Sequence, residues 1–375
     1  MIYLDNAASA VPYEACMEQM YRLSLAHFAN PGALHSAGGA CRQILQQSRR
    51  KMAELLKVRD REVFFTSGGT EANNWAVKMI CEQSRGRQLL VGATEHKSVL
   101  EAAFSMERQG FRVTLLYPDR HGRISPEQVS AAIGPDTALL CVQAVNNETG
   151  VVQDVEGLSR VARIHRIPFL CDAVQAFGHV DLPLHKADLI TLSGHKFGGP
   201  KGIGCLIARY PYLPSPMLHG GGQELGLRSG TENLPAVASM AMAAELSTSS
   251  LSASATHMAA LTARLLEGLQ QIDPHITANA DTAPRHPGIL NCWFPGISAE
   301  ELVMRLSMKG ICVSPGAACA ARDPKPSHVL LAMGYPEARA TESVRFSLGP
   351  ATTQKEIEET IAAVEAILLR AGKER

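Results

Sequence analysis

Along the first two thirds of the chain, short uninterrupted apolar runs alternate with stretches whose apolar positions recur at helical spacing. The runs are EVFFTS (62–67), QLLVGA (88–93), RVTLLYP (112–118), TALLCVQAV (137–145), IPFLCDA (167–173), DLITLS (188–193) and IGCLIAR (203–209). Continuous rather than alternating hydrophobicity marks strands covered on both faces, as in a largely parallel sheet. Helices are expected between them near 38–57, 70–84, 97–109, 126–133 and 155–165. The fourth carries a start signal: Ser125 as the cap, Pro126 at the first helical position and Gln128 at the third. This alternation predicts an α/β architecture, a mostly parallel sheet between helices.

The pattern changes after residue 232. An Ala/Ser/Met/Leu-rich stretch runs to about 272 and includes the serine tract STSSLSASAT (247–256). It keeps too many apolar residues for a linker and reads as helical segments with a solvated, kinked middle. GILNCWF (288–294), ICVSP (311–315) and SVRFSLG (343–349) then read as strands, followed by an amphipathic helix near 354–371. These form a smaller α+β lobe. At 375 residues the chain is long enough for two lobes.

Charge adds little. Lys+Arg and Asp+Glu each total 36, so no net field points to nucleic acid or a membrane surface. The start MIYLDNAASAVPYEAC lacks a basic segment before an apolar run, and no apolar stretch approaches a membrane span, so a cytoplasmic enzyme is expected. The nine cysteines show no CxxC pairing. Cys141, Cys171 and Cys205 sit inside apolar strands and read as inert buried hydrophobes.

Three segments invite chemistry. In LITLSGHKFGGPKGIG (189–204), Lys196 follows a strand and precedes a glycine-rich return. It reads either as a surface charge or as an amine that condenses with a cofactor aldehyde. Asp172 closes the strand IPFLCDA, as a helix cap or as a carboxylate facing a protonated pyridine nitrogen. TSGGTEANN (66–74) joins a strand to a helix start through glycines, a weak but suitable phosphate cradle in which Thr70 adds a hydroxyl. There is no Walker loop or GxGxxG fingerprint, which disfavours nucleotide triphosphate and NAD.

With these, YLDNAAS (3–9), NPGALH (30–35), TEHKSV (94–99), VNNETGVVQ (145–153), DAVQ (172–175), GGGQELGLRSGTEN (220–233), GAACAARDPKPSHVL (316–330) and VRFSLG (344–349) occur in order along nearly the whole chain. Together they resemble the class V aminotransferase-like pyridoxal-phosphate enzymes, and among them the cysteine desulfurases. The resemblance implies a homodimer of two-lobed subunits with fold type I. The large lobe would cover about 13–248; the small one would combine 1–12 with 249–375 and carry a catalytic-cysteine loop at about 314–327. It implies that Lys196 holds pyridoxal phosphate and moves the substrate's α-proton. His96 would stack on the ring and act in acid–base steps. Asp172 would pair with the ring nitrogen and Gln175 with the ring hydroxyl. Gly69, Thr70, Ser193 and His195 would cradle the phosphate, with Thr231 reaching in from the second subunit. Asn147 and Arg345 would take the substrate carboxylate, Arg345 by a bidentate fork.

The resemblance also implies that Cys319 attacks the sulfur of bound L-cysteine, releasing alanine and keeping the sulfur as a persulfide. Such a thiol must be exposed and able to travel, and small residues from Gly316 to Ala321 leave it unobstructed. From Ser314 to Ser327 the chain could extend on the order of 40 Å at about 3.3 Å per residue. Many relatives have SSGSAC where SPGAAC stands here, so Pro315 and Ala317 alter the loop. The short segment after Gly349 argues against the usual iron–sulfur scaffold as acceptor and leaves tRNA-thiolation or DNA-phosphorothioation proteins. Arg322, Asp323 and Lys325 would offer such an acceptor protein a charged handle. Rival readings are a selenocysteine lyase or cysteine-sulfinate enzyme, a catalytically idle partner subunit, and a zinc site of Cys312, Cys319 and His328.

Overall fold

The computed structural model describes residues 1–315 and 326–371; Cys319, Arg322, Asp323 and Lys325 lie outside them. The chain opens with β1 (Ile2–Tyr3), α1 (Glu14–Ala26) and α2 (Ser36–Leu56). Next come β2 (Val63–Thr66), α3 (Gly69–Gln83), β3 (Gln88–Gly92), α4 (Lys97–Glu107), β4 (Arg112–Leu116) and α5 (Pro126–Ala132). β5 (Thr137–Cys141), α6 (Val155–His165), β6 (Phe169–Asp172), β7 (Leu189–Ser193) and β8 (Gly204–Ala208) follow. α7 (Leu234–Ser249) and α8 (Leu251–Ile272) lead to β9 (Thr277–Ala278), β10 (Ile289–Trp293), α9 (Ala299–Ser307) and β11 (Ile311–Cys312). The last elements are α10 (His328–Ala332), α11 (Glu337–Thr341), β12 (Ser343–Ser347) and α12 (Gln354–Ala371).

All seven expected strands of the first two thirds form, in one sheet of order β2-β8-β7-β6-β5-β3-β4. Neighbours from β7 through β4 run parallel, while β8 is antiparallel to both β2 and β7. Every residue of β3, β5, β7 and β8 is buried, as their unbroken apolar runs require. The edge strand β4 begins exposed. Ser125 caps α5 by accepting from Gln128 N–H at 3.1 Å. The Gln128 side chain does not close the box; it donates to Tyr117 O at 2.8 Å.

The serine tract breaks the long helical stretch where expected. Ser247 and Thr248 donate hydroxyls back to Ala244 O, and Ser249 and Ser250 to Leu246 O, so the backbone loses its helical course at Ser250. α7 packs into the large core with Cys171, Leu192 and Phe197, whereas α8 packs into a second core. That second core joins Ile2 and Leu4 to Met258, Leu265, Leu302, Phe346 and Val364. Its sheet is the antiparallel β12-β10-β9, and β1 pairs in parallel with β11. No helix among the described residues is long and apolar enough to cross a membrane.

One buried ion pair fastens the loop before α7 to the large lobe. Arg49 on α2 meets Glu224 at 2.6 Å, with side chains only 12% and 3% exposed. Glu224 also accepts from Phe65 N–H at 2.9 Å, and Arg49 donates to Val63 O, so α2, β2 and the loop share one network. Glu224→Ala is expected to destabilise the fold by about 3 kcal/mol, because a buried guanidinium is left uncompensated. A denaturant melt of the variant against the parent chain measures this.

Candidate active site

A cavity of about 630 Å³ opens beyond the carboxyl ends of the parallel strands, where α/β sheets bind ligands. Asp172 enters it from the end of β6, and Ser193, His195 and Lys196 from the end of β7 and the 3-10 turn that follows. Gly69 and Thr70 line it at the start of α3, and His96 at the cap of α4. Asn147, Gln175 and Arg345 complete the group of expected residues that converge there. Thr231 is exposed and does not reach the cavity of its own chain.

The Asp172 carboxylate is buried and held from two sides. Oδ1 accepts from Val174 N–H at 3.0 Å and Oδ2 from Asn73 Nδ2 at 2.8 Å. Asn73 is fixed in turn, since its Oδ1 accepts from Thr191 Oγ1 at 2.7 Å and its Nδ2 also donates to Ser98 Oγ at 2.9 Å. Sequence reasoning passed over Asn73; an asparagine on the buried face of a helix was the available signal, because that residue is poorly tolerated there without partners.

At the other end, the first turn of α3 offers N–H groups with no acceptor inside the helix. A side chain at Gly69 would close this cradle, as a Cβ there would sit 2.9 Å from Val174 Cγ2. Glu71, also in that turn, is neutralised by a bidentate pair with Arg228 at 2.8 and 3.1 Å and accepts from Ser67 N–H. The cradle therefore keeps a net welcome for an anion.

The Lys196 amine donates to Ala7 O at 2.6 Å and Ala8 O at 3.0 Å, so the NAAS segment orients it. Gln175 Nε2 donates to the same Ala7 carbonyl at 2.6 Å. His96 Nδ1 accepts from Ser98 N–H at 3.1 Å, which leaves the proton of the neutral ring on Nε2. Burial holds its pKa below the usual histidine value, opposed by the Asp172 charge. Arg345 on β12 donates through Nη2 to Asp5 Oδ1 at 2.7 Å and through Nη1 to Asn147 O at 2.8 Å. Its Nε is buried with no hydrogen-bond partner among the described residues.

His195 has its pKa lowered from 6.5 to about 4, by burial first and then by Lys196 and Lys201. An unfolded chain takes up that proton near pH 6.5 and the folded chain only near 4, so His195 withdraws stability as pH falls through this window. His96, His179 and His286 act in the same sense, whereas Glu95 and Asp188, whose carboxyls burial raises, act in the opposite one. His195→Asn is expected to flatten the fall of Tm between pH 6.5 and 4 without abolishing it. Thermal melts of both apoproteins across that range check the slope.

Residues 2–360 match the family described as Aminotransferase class-V. The chain belongs to that family. It is 37% identical over 371 residues to cysteine desulfurase IscS of Methanosarcina thermophila, covering 98% of this chain and 92% of that protein. Among solved structures, a NifS-like protein superposes with a TM-score of 0.91 at 33% identity, covering 98% of this chain and 99% of the other. The structure of SspA in complex with cysteine gives 0.81 at 35% identity, covering 94% and 100%.

The described cysteines of this class-V chain lie away from the site. None of the eight lines the cavity; seven are buried and Cys312 is partly so. Burial pushes the Cys16 thiol up to about 11 and those of Cys81 and Cys292 up to about 12, and raises Cys141, Cys171 and Cys205 as well. The described residues flanking Cys319 are tied to the cavity wall. Ser314 exchanges both backbone hydrogen bonds with Arg345, at 3.1 and 2.8 Å, and Ser327 Oγ donates to Glu148 Oε2 at 2.5 Å. Arg345 and Glu148 both line the cavity.

Proposed function

We propose that this chain is a pyridoxal-phosphate-dependent cysteine desulfurase that converts L-cysteine to L-alanine and keeps the sulfur as a persulfide on Cys319. The observation that carries the reading is the convergence of the Lys196 amine, the Asp172 carboxylate and a glycine-based anion cradle on one cavity. The donor set fits pyridoxal phosphate: a buried carboxylate for the ring nitrogen, the start of α3 with Gly69, Thr70, Ser193 and His195 for the phosphate, and a lysine for the aldehyde. When bound, the cofactor supplies an electron sink for negative charge at the substrate's α-carbon.

The chain's own residues do the rest. Asn73 and Val174 N–H hold the Asp172 carboxylate in its orientation. Ala7 and Ala8 direct Lys196 Nζ, the atom proposed to carry the α-proton. His96, with Nδ1 engaged by Ser98, carries its proton on Nε2 in the cavity wall. Arg345, steadied by Asp5, is the cation for the substrate carboxylate, beside Asn147. The Cys319 thiolate forms an S–S bond to the substrate sulfur as the C–S bond breaks. A proton replaces sulfur on carbon, so cysteine plus the enzyme thiol gives alanine plus the persulfide.

Thr231, exposed on a chain segment pinned by Arg228 and Glu71, is proposed to serve the phosphate of a second subunit in a homodimer. The two lobes are proposed to divide at 13–248 and at 1–12 with 249–375, and a dedicated acceptor protein is proposed to take the persulfide sulfur. Purified protein incubated with L-cysteine tests the central reading. Alanine and protein-bound sulfane sulfur should rise together in the first turnover, and alanine formed with no sulfane sulfur on the protein would refute it.

A further inference from the structure

Two histidines outside the cavity bear on Lys196 from behind. The backbone carbonyl of Lys196 accepts a hydrogen bond from His179 Nε2 at 2.8 Å. A carbonyl only accepts, so Nε2 carries the proton and Nδ1 is the bare nitrogen of the neutral ring. His286 packs on this imidazole with ring centroids 4.8 Å apart and planes tilted by 51°. Its own Nδ1 accepts from Gly288 N–H at 3.0 Å, which sets its tautomer too. The same two loops are joined again by Phe177 against Phe197, edge to face with centroids 5.1 Å apart. Gly178, between Phe177 and His179, has φ 77, and a Cβ there would lie 2.6 Å from Ser247 Oγ. The turn presenting His179 therefore has little latitude. Burial lowers the pKa of both rings, so neither adds a cation behind the lysine.

Lys196 needs such support. It ends a single 3-10 turn, Gly194–Lys196, and is followed by Gly198 and Gly202 at φ 84 and 78. A long side chain on a glycine-flanked turn keeps its direction only if its peptide is held.

We propose that His179 is a positioning residue for Lys196: its Nε2–H fixes the Lys196 peptide, and with it the approach of the amine to the reacting carbon, while His286 holds the ring in place. This rests on the reading of Lys196 as the cofactor lysine. The amine end is set by Ala7 and Ala8 and the backbone end by His179, two independent clamps on one residue.

The test uses holoenzyme of three variants: His179→Phe, which keeps ring bulk without the donor; His179→Gln, whose amide can reach the same carbonyl; and Lys196→Ala. His179→Phe is expected to melt near the parent temperature and to bind pyridoxal phosphate. Its kcat should fall about 100-fold, the scale of a misplacement near 1 Å, with KM little changed. Its visible absorbance band should shift, reporting an altered lysine–cofactor geometry. His179→Gln should restore both the band and kcat. A native band and rate in His179→Phe would overturn the proposal, as would a His179→Gln variant as defective as His179→Phe. If His179→Phe does not fold, His179→Asn replaces it, its amide being too short to reach, and the same contrast with His179→Gln decides. A covalent cofactor band that persists in Lys196→Ala would instead sink the assignment of Lys196, a result separable from either outcome at His179.

Discussion

Lys196→Ala is expected to leave a folded protein that binds pyridoxal phosphate without a covalent link and turns cysteine over at least ~10³-fold more slowly, the scale of a lost general acid–base group. The reason is that, in the proposed reading, one amine serves twice, as the cofactor's anchor and as the proton carrier. Its position is set by Ala7 O and Ala8 O at 2.6 and 3.0 Å, and nothing in alanine can take up either role. Borohydride reduction of the parent holoenzyme should fix the label on the peptide carrying Lys196. A label on Lys201, which also lines the cavity, would transfer the role to that residue and end the present assignment.

Cys319→Ser should separate the second half of the reaction from the first. Cofactor binding and substrate capture are proposed to draw on Asp172, Lys196 and Arg345, so the spectral response to L-cysteine should survive. Persulfide should be absent, and alanine formation should fall on the order of 10³-fold or more, as when an enzyme's nucleophile is removed. None of the eight described cysteines lines the cavity, so no neighbouring thiol stands ready to substitute. Desulfuration at the parent rate by the serine variant would remove the loop nucleophile from the mechanism and favour a lyase that works without it.

Much of the frame was legible because its causes are local. Unbroken apolar runs marked the seven strands of the large sheet, and Ser125-Pro126 marked the start of α5 to the residue. α1 was missed because its apolar residues do not gather on one buried face: Tyr21 and Leu25 are 68% and 62% exposed and only Cys16 is buried. α9 was missed although Ser298 accepts from Glu301 N–H at 3.2 Å, a cap spaced as a capping box would be.

In the site, the residues of linear motifs were legible and their supports were not. Asn73 acts through Ser98, Asp172 and Thr191, and His179 through Lys196 and His286, partners that only the fold brings near. Arg345 was legible as a cation on the strand SVRFSLG. That Asp5 and the Asn147 carbonyl occupy its two Nη groups depends on the N-terminal segment crossing to the last strand.

That crossing bears on when, during the chain's synthesis, activity can begin. Ala7 N–H donates to Ser347 Oγ at 2.9 Å, and Asn6 N–H to Ser347 O at 3.1 Å, linking the residues beside the Lys196 clamp to β12. Contacts so distant in sequence form late and slow the search for the native state. A ribosome must therefore deliver β12 before the opening segment has its seat, and a nascent or truncated chain, even with the large lobe already folded, holds its lysine without the completed grip. A chain truncated before Ser343 is therefore expected to turn over little L-cysteine, activity beginning only once the last strand has seated the opening segment.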